Sequence, residues 1–199
     1  MGKDFSEAME RAIARLVLDF QAQPRRFWNE RDLHWYLFYH LKQDPVFLRD
    51  YGTELIRAEF PTRAKYPDRG HYDLVILDPA SLTSPPVSEL MPWASWDEYL
   101  PFVGVVVAVE VKTWVDRTTD IPQKVDWDID KLIDPQNGVT HPYFLNFVQL
   151  DFARPQMRDF YQSLRAYLTE RAEHWSNLKI LCVPHDKVIQ PDLGQDWIH

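Results

Sequence analysis

The stretch VVVAVEVKTW, which begins at Val105, constrains the fold of this chain more than any other part of its sequence. Valine dominates both alternating faces of the stretch, which predicts a central β-strand, covered on both sides, over residues 102–112. Glu110 and Lys112 stand near the end of this strand, and residues two apart on a strand point to the same face. The sequence therefore places an acid and a base side by side at the end of a buried element.

Strand alternation also predicts which residues of the run share a face. Val105 and Val107 are expected on one face, whereas Val106 and Ala108 are expected on the other, with Glu110. Both sets should be buried near the middle of the strand.

The size and composition of the chain are those of one globular domain. It has 199 residues, of which 45% are hydrophobic and 14% aromatic, so it can form a core and is unlike a disordered chain. The longest apolar run is far shorter than a membrane span, and the N-terminus lacks the apolar centre of a signal peptide. A single cysteine excludes an internal disulfide and a cysteine-rich zinc site. We expect a soluble, cytoplasmic protein that contacts no membrane.

The charge of the chain limits how it could contact nucleic acid. The formal net charge is −8, which argues against an extensive phosphate-binding surface but leaves room for a small basic patch. Arg57, Arg63, Lys65 and Arg69 lie close together in sequence. They form either such a patch or a solvated charged edge.

Hydrophobic periodicity predicts an α/β fold in which helices flank a central mixed sheet. Helices are expected at 5–20, 30–42, 123–133 and 154–175, and strands at 54–62, 71–79, 102–112, 141–152 and 178–183. The segment 79–102 is rich in Pro, Ser and Trp, and we interpret it as an insertion between the second and third strands. No domain boundary is indicated, so the chain is interpreted as one domain over residues 1–199.

Two carboxylates interrupt the predicted core strands at positions that can meet. Asp73 opens the apolar part of the second strand, and Glu110 ends that of the third. If these strands are neighbours, both side chains converge at one sheet edge, where they can bind a hard cation such as Mg²⁺. The carbonyl of Val111 would add a third oxygen. Lys112, on the face of Glu110, would lie beside a metal-bound water or a substrate phosphate.

These residues resemble the PD-(D/E)XK nuclease superfamily, which has a restriction-endonuclease-like core. The likeness rests on Asp73 followed by a strand, and on Glu110, Val111 and Lys112 at the end of another; Tyr72 replaces the proline of the motif. The common core of the family is a helix, three strands, a helix and a strand, which the predicted elements match over residues 29–152.

The resemblance implies a divalent-metal-dependent nuclease that hydrolyses phosphodiester bonds, with Mg²⁺ or Mn²⁺ as cofactor. It implies that Asp73 and Glu110 are metal ligands, that Lys112 is catalytic, and that Glu30 makes a water-mediated or orienting contact. DNA is favoured over RNA as the nucleic acid, and a homodimer or another protein partner stays open.

Several residues around the predicted site have either a functional or a purely structural interpretation. Residues expected to contact substrate are His71, Arg63, Lys65, Arg69 and Lys124, and Asp128 is expected to line the site beside Lys124. Glu59 is an alternative acid, although a surface strand position explains it equally. His34 and His40 are interpreted as packing or surface residues. The alternative function is a catalytically inactive nuclease-fold protein that acts as a binding or scaffold module.

Overall fold

The structure is a computed structural model that describes most of the chain. The described residues are 2–65, 69–82, 103–115, 120–150, 153–174, 177–185 and 197–198, and for 2–3, 63–65, 69 and 197–198 they comprise the backbone alone. Within these ranges, no helix combines the length and the apolar character needed to cross a membrane.

Five α-helices and six strands are present in the described ranges. The helices are α1 (Gly2–Ala22), α2 (Glu30–Lys42), α3 (Pro79–Leu82), α4 (Ile121–Ile133) and α5 (Pro155–His174). The strands are β1 (Ile56–Lys65), β2 (Arg69–Leu77), β3 (Val105–Trp114), β4 (His141–Val148), β5 (Lys179–Pro184) and β6 (Trp197–Ile198).

The strands form one mixed sheet in the order β1-β2-β3-β4-β5-β6. The neighbours β1, β2 and β3 are antiparallel, whereas β3, β4 and β5 are parallel and β6 is antiparallel to β5. Parallel neighbours need long crossovers, and α4 and α5 supply them between β3 and β4 and between β4 and β5. The predicted class, an α/β fold with helices flanking a mixed sheet and an N-terminal helix, is confirmed.

Each face of the sheet has its own hydrophobic core. On one side, α1 and α2 pack on Val107, Val109 and Val111. On the other side, α4 and α5 pack on Ala108 and Phe144. The central strand β3 is therefore buried on both faces, as its valine run predicts.

The predicted alternation fails at the start of β3. Val105 packs in the same core as Ala108, and Val106 packs against the core of Val107. The reason is a shift in the pairing of β2 with β3 between Ile76 and Leu77, because an irregularity in a ladder exchanges the faces of the residues beyond it.

The predicted insertion begins inside the described ranges. Pro79–Leu82 forms the short helix α3. Ser81 Oγ in this helix donates to the carbonyl of Asp78, just before it, at 2.7 Å. Residues 83–102 lie outside the described residues, so the arrangement of the tryptophan-rich part of the insertion stays a prediction.

Candidate metal centre

The strands β2 and β3 separate at Asp73 and Glu110. Their ladder runs from Leu77 opposite Val105 to Leu74 opposite Val109, and the next positions along it are Asp73 and Glu110. Beyond that point β3 continues beside β4 alone, to Trp114. We call the gap between the diverging strands the fork. Its polar side chains are Glu30, His34, Glu59, Asp73, Glu110, Lys112, Asp128 and Lys131.

Carboxylates close the edge of β3 that faces the fork. The amide of Val111 donates to Asp73 Oδ2 at 2.7 Å, and the amide of Thr113 donates to Glu30 Oε1 at 3.2 Å. These amides have lost their strand partner, and a buried unpaired amide is costly. Since the N–H and C=O of one strand residue point to the same neighbour, the Val111 carbonyl faces the fork as well.

The first turns of α2 bring Glu30 and His34 to the fork. The helix starts with a capping box, in which the Asn29 side chain accepts from the amide of Asp32 and the Asp32 carboxylate accepts from the amide of Asn29. Glu30 and His34 are four residues apart and therefore share a helical face. His34 Nε2 lies 3.1 Å from Asp73 Oδ2.

Glu59 reaches the same carboxylate from β1. Ala58 is paired with Leu74 and Phe60 with Tyr72, so Glu59 stands opposite Asp73. Its backbone has a φ of 51°, a left-handed conformation that a non-glycine residue rarely adopts. Such backbone strain persists where the surrounding structure imposes it, and it is found often at functional sites.

His34, Glu59 and Asp73 form a group of potential metal ligands. Each offers one ligand atom, and these atoms all lie within 4.8 Å of one another. The three residues also line a cleft of about 550 Å³, together with Trp28, Asn29, Glu30, Arg31, Thr113 and Val115. Glu110 does not line this cleft.

Glu110 turns instead towards α4. Glu110 is 1% exposed, and Lys131 Nζ lies 2.8 Å from its Oε1. The same ammonium lies 2.9 Å from Asp128 Oδ1 and donates to the carbonyl of His71 at 2.9 Å. The contact with Glu110 lacks hydrogen-bond geometry, so Oε1 is a buried oxygen without a hydrogen bond in the described part of the chain.

Lys112 spans the end of the fork between the two helical layers. Its ammonium lies 2.8 Å from Asp128 Oδ2 on α4 and 3.9 Å from Glu30 Oε2 on α2. Burial would lower the pKa of Lys112, but the charges of Asp128 and Glu30 outweigh it and hold that pKa above its ordinary value. The residue is therefore a permanent cation beside Glu30, which lines the cleft.

Burial and neighbouring charges shift the pKa values of Asp73 and Glu110 in opposite directions. Burial, followed by the charge of Asp73, raises the pKa of Glu110 well above its ordinary value. Burial also acts to raise the pKa of Asp73, but His34, the amide of Val111 and the charge of Lys112 outweigh it, and the pKa is lowered. Asp73 is thus the stronger acid of the two, and its carboxylate form is the more stable one.

The charge balance and the chemistry of the fork fit a divalent cation. Five carboxyl groups, those of Glu30, Glu59, Asp73, Glu110 and Asp128, share the fork with the two ammonium groups of Lys112 and Lys131. Negative charge is therefore in excess even when Glu110, whose pKa is raised, holds a proton. No hydrogen bond to Asp73 Oδ1 is formed within the described residues, since both contacts use Oδ2. Oxygen ligands suit Mg²⁺ and Mn²⁺, and the imidazole of His34 favours the transition metal.

The structure brings together only part of the site predicted from sequence. Asp73, Glu110, Lys112 and Glu30 all meet at the fork, but Asp73 and Glu110 face different partners. His71 is exposed and contributes its carbonyl to Lys131.

The remaining residues predicted to contact substrate either do not line the cleft or have side chains outside the described residues. Lys124 is exposed on α4, with Nζ 5.7 Å from the centre of the Trp114 ring. Arg63 and Lys65 lie in the last part of β1 and Arg69 begins β2, and the side chains of all three lie outside the described residues.

Two residues of the fork carry signals that the sequence interpretation missed. His34 is four residues from Glu30, a helical spacing that places it beside an acid already considered. Lys131 interrupts the apolar face of α4 that contains Val125, Ile129 and Leu132, and it follows Asp128 by three residues. Charges within an apolar stripe are rarely buried unless they are paired, which makes the Asp128–Lys131 spacing informative.

Comparison with known proteins adds no relative. No protein-family model, no curated protein and no solved structure matches the chain.

Proposed function

We propose that this protein is a divalent-metal-dependent nuclease that hydrolyses phosphodiester bonds of nucleic acid at the fork. The observation that carries the proposal is the meeting of Asp73, Glu110 and Lys112 where β2 and β3 separate. The order of α2, β1, β2, β3, α4 and β4 supports it, because it follows the helix, three strands, helix and strand of the nuclease family that the sequence resembles.

The cation would be held in the cleft by Asp73, with His34 and Glu59 as further ligands. Glu110, which does not line the cleft, would add a ligand oxygen once its carboxyl group leaves Lys131. A bound divalent ion lowers the pKa of its water and offsets charge on the phosphodiester.

The side chains of this chain would then act in fixed roles. Lys112 would stabilise the negative charge that develops on the scissile phosphate, because its ammonium is held between Asp128 and Glu30, a residue that lines the cleft. Lys131 would compensate the charge of the buried carboxylates of Glu110 and Asp128. The hydrogen bonds from Val111 and Thr113 would keep Asp73 and Glu30 in place.

One observation favours the alternative, a catalytically inactive nuclease-fold protein that acts as a binding or scaffold module. Asp73 and Glu30 already bind strand amides, and Glu110 already pairs with Lys131. Each of these acids therefore has a structural role that needs no metal.

The two functions are separated by metal binding and cleavage. Mn²⁺ binding is measured by calorimetry, and cleavage of short DNA and RNA, single- and double-stranded, is measured with Mg²⁺ or Mn²⁺. The nuclease should bind Mn²⁺ and cut at least one substrate, and Asp73→Asn should abolish both. Glu10→Gln is the matched control, because Glu10 pairs with Lys179 outside the fork.

Each result decides between the candidates. Metal-dependent cleavage that Asp73→Asn removes and Glu10→Gln retains supports the nuclease. A wild-type protein that binds no divalent ion and cuts none of the substrates overturns it and favours the binding module.

A further inference from the structure

Trp28 is the most exposed large hydrophobic residue in the described part of the chain. Its side chain is 84% exposed, and it forms part of the wall of the cleft that contains His34 and Asp73. Single exposed apolar residues are common on protein surfaces. This one is an indole beside the candidate metal ligands, where a substrate would pass.

The backbone around Trp28 is held firmly on both sides. Phe27 is fully buried, and its ring packs against Phe20 and Tyr36. Its carbonyl accepts a hydrogen bond from Gln149 Nε2 at 2.5 Å. The amide of Trp28 donates to the Asp32 carboxylate at 2.7 Å. The segment therefore fixes the position from which the indole projects.

Folding does not account for the indole itself. An apolar residue just before the N-cap of a helix often packs on the residue four positions into the helix. That residue is Leu33, which is fully buried, whereas Trp28 remains exposed. The side chain thus offers a flat apolar face to solvent at the wall of the cleft.

A cation accompanies this face. Arg31 also lines the cleft, is exposed, and forms no ion pair within the described ranges. A guanidinium without an ion pair in the described part of the chain and an exposed indole on the same cleft offer both contacts that a nucleotide needs, one to its phosphate and one to its base.

We propose that Trp28 and Arg31 form a nucleotide subsite for single-stranded nucleic acid. A base stacks on the indole of Trp28, and an adjoining phosphate contacts Arg31. The choice of ligand rests on the proposed nuclease function. A base can stack on a side chain only where its face is free of neighbouring bases, so the subsite prefers an unpaired strand to the interior of a duplex. The cleft volume of about 550 Å³ is within the usual range for small-ligand sites.

The subsite is tested by binding measurements separated from cleavage. Fluorescence anisotropy follows a labelled single-stranded oligonucleotide and a blunt duplex of the same sequence, with Mn²⁺, in a Lys112→Ala background. Trp28→Ala should weaken single-strand binding about tenfold or more. Arg31→Ala should reduce the slope of log affinity against log salt by about 0.7, the value for one phosphate contact on a single strand.

Matched controls come from exposed residues outside the cleft. Trp35→Ala removes an indole that is 62% exposed on α2, and Arg158→Ala removes an exposed cation on α5. Both should leave single-strand binding within about twofold of the parent. Thermal melting checks each variant, and the high exposure of Trp28 predicts an unchanged Tm for Trp28→Ala.

The outcomes separate this subsite from the nuclease function. Loss of binding in Trp28→Ala but not in Trp35→Ala supports the subsite even if the wild type cuts nothing, in which case only the nuclease proposal fails. Unchanged binding in Trp28→Ala overturns the subsite even if the wild type is an active nuclease. A parent that binds no single strand, or binds the duplex more tightly, also overturns it, and would leave Trp28 to a protein partner.

Discussion

Asp73 Oδ2 on β2 accepts a hydrogen bond of 2.7 Å from the amide of Val111 on β3, the neighbouring strand. The same carboxylate belongs to the group of potential ligands with His34 and Glu59. The amide contact and the proposed binding of a cation are separable, because capping an amide needs an acceptor oxygen, whereas binding a cation needs negative charge.

Two substitutions of Asp73 separate these roles. Asp73→Asn keeps an acceptor and should leave the free energy of unfolding in EDTA within about 1 kcal/mol of wild type, while Mn²⁺ binding is lost. Asp73→Ala removes the acceptor too and should cost about 1–2 kcal/mol more. Urea denaturation and calorimetry measure the two quantities. Equal stability of both variants would show that the Val111 amide does not depend on Asp73.

His34 predicts a preference among metals. Imidazole binds Mn²⁺ better than Mg²⁺, so His34→Ala should weaken Mn²⁺ binding more than Mg²⁺ binding. Calorimetric titration with each ion measures the ratio of the two affinities. His40→Ala is the matched control, since His40 lies on the same helix and its Nε2 contacts Asp19 at 2.7 Å. A wild-type ratio that His34→Ala leaves unchanged would exclude the imidazole as a ligand.

The left-handed backbone at Glu59 predicts that this residue lowers the stability of the fold. Glycine adopts a φ of 51° freely, so Glu59→Gly should leave the free energy of unfolding unchanged or raise it by up to about 1 kcal/mol. The same change at Arg57, exposed on β1, should lower it by about 1 kcal/mol, because glycine weakens an ordinary strand. Urea denaturation compares the variants. A clear loss of stability in Glu59→Gly would mean that its side chain stabilises the fold.

The fold could be predicted from local patterns because each pattern has one main physical cause. The valines of β3 alternate on two buried faces, which requires layers on both sides, and Asn29 followed by Asp32 marks the start of α2. The face exchange at Val105 could not be predicted, because it arises from a pairing shift at Ile76, a residue of another strand.

The site was less predictable because side-chain direction depends on distant partners. The sequence indicates that Asp73 and Glu110 lie on neighbouring strands, but not that one turns to His34 and the other to Lys131. The pairing of Glu110 with Lys131 depends on how α4 lies across β3. The positive φ of Glu59 has no local signal such as glycine or asparagine.

Asp44 predicts how stability depends on pH away from the fork. Burial acts to raise its pKa, but two hydrogen bonds from Arg11, at 2.9 and 3.0 Å, and one from the amide of Val46 lower it below 3.8. A lowered folded-state pKa stabilises the protein above the unfolded value, and the benefit is lost as pH falls through the folded value.

The corresponding variant is Asp44→Asn. It should lose about 1.5 kcal/mol near neutral pH, the lower end for a charged hydrogen bond because Arg11 is 45% exposed. The deficit should shrink as pH falls below 3.8. Urea denaturation across this range measures it, with the exposed Asp50→Asn as control. A deficit that is constant with pH would show that the charge of Asp44 is not its cause.

Lys112 carries the sharpest test of why an acid and a base interrupt a valine strand. If its ammonium stabilises the transition state, Lys112→Ala should lower cleavage about a hundredfold or more and leave Mn²⁺ affinity within a few fold. Asp128, which it contacts at 2.8 Å, keeps Lys131 as a partner, so the fold should survive. Lys179→Ala removes a lysine that pairs with Glu10 outside the fork and should retain cleavage. Cleavage rates at saturating metal and Mn²⁺ calorimetry measure both effects. Two results would contradict a chemical role for Lys112. One is an equal loss of cleavage in the two variants, and the other is a fall in metal affinity that accounts for the whole loss in Lys112→Ala. In either case Lys112 would be only a structural bridge between Asp128 and Glu30.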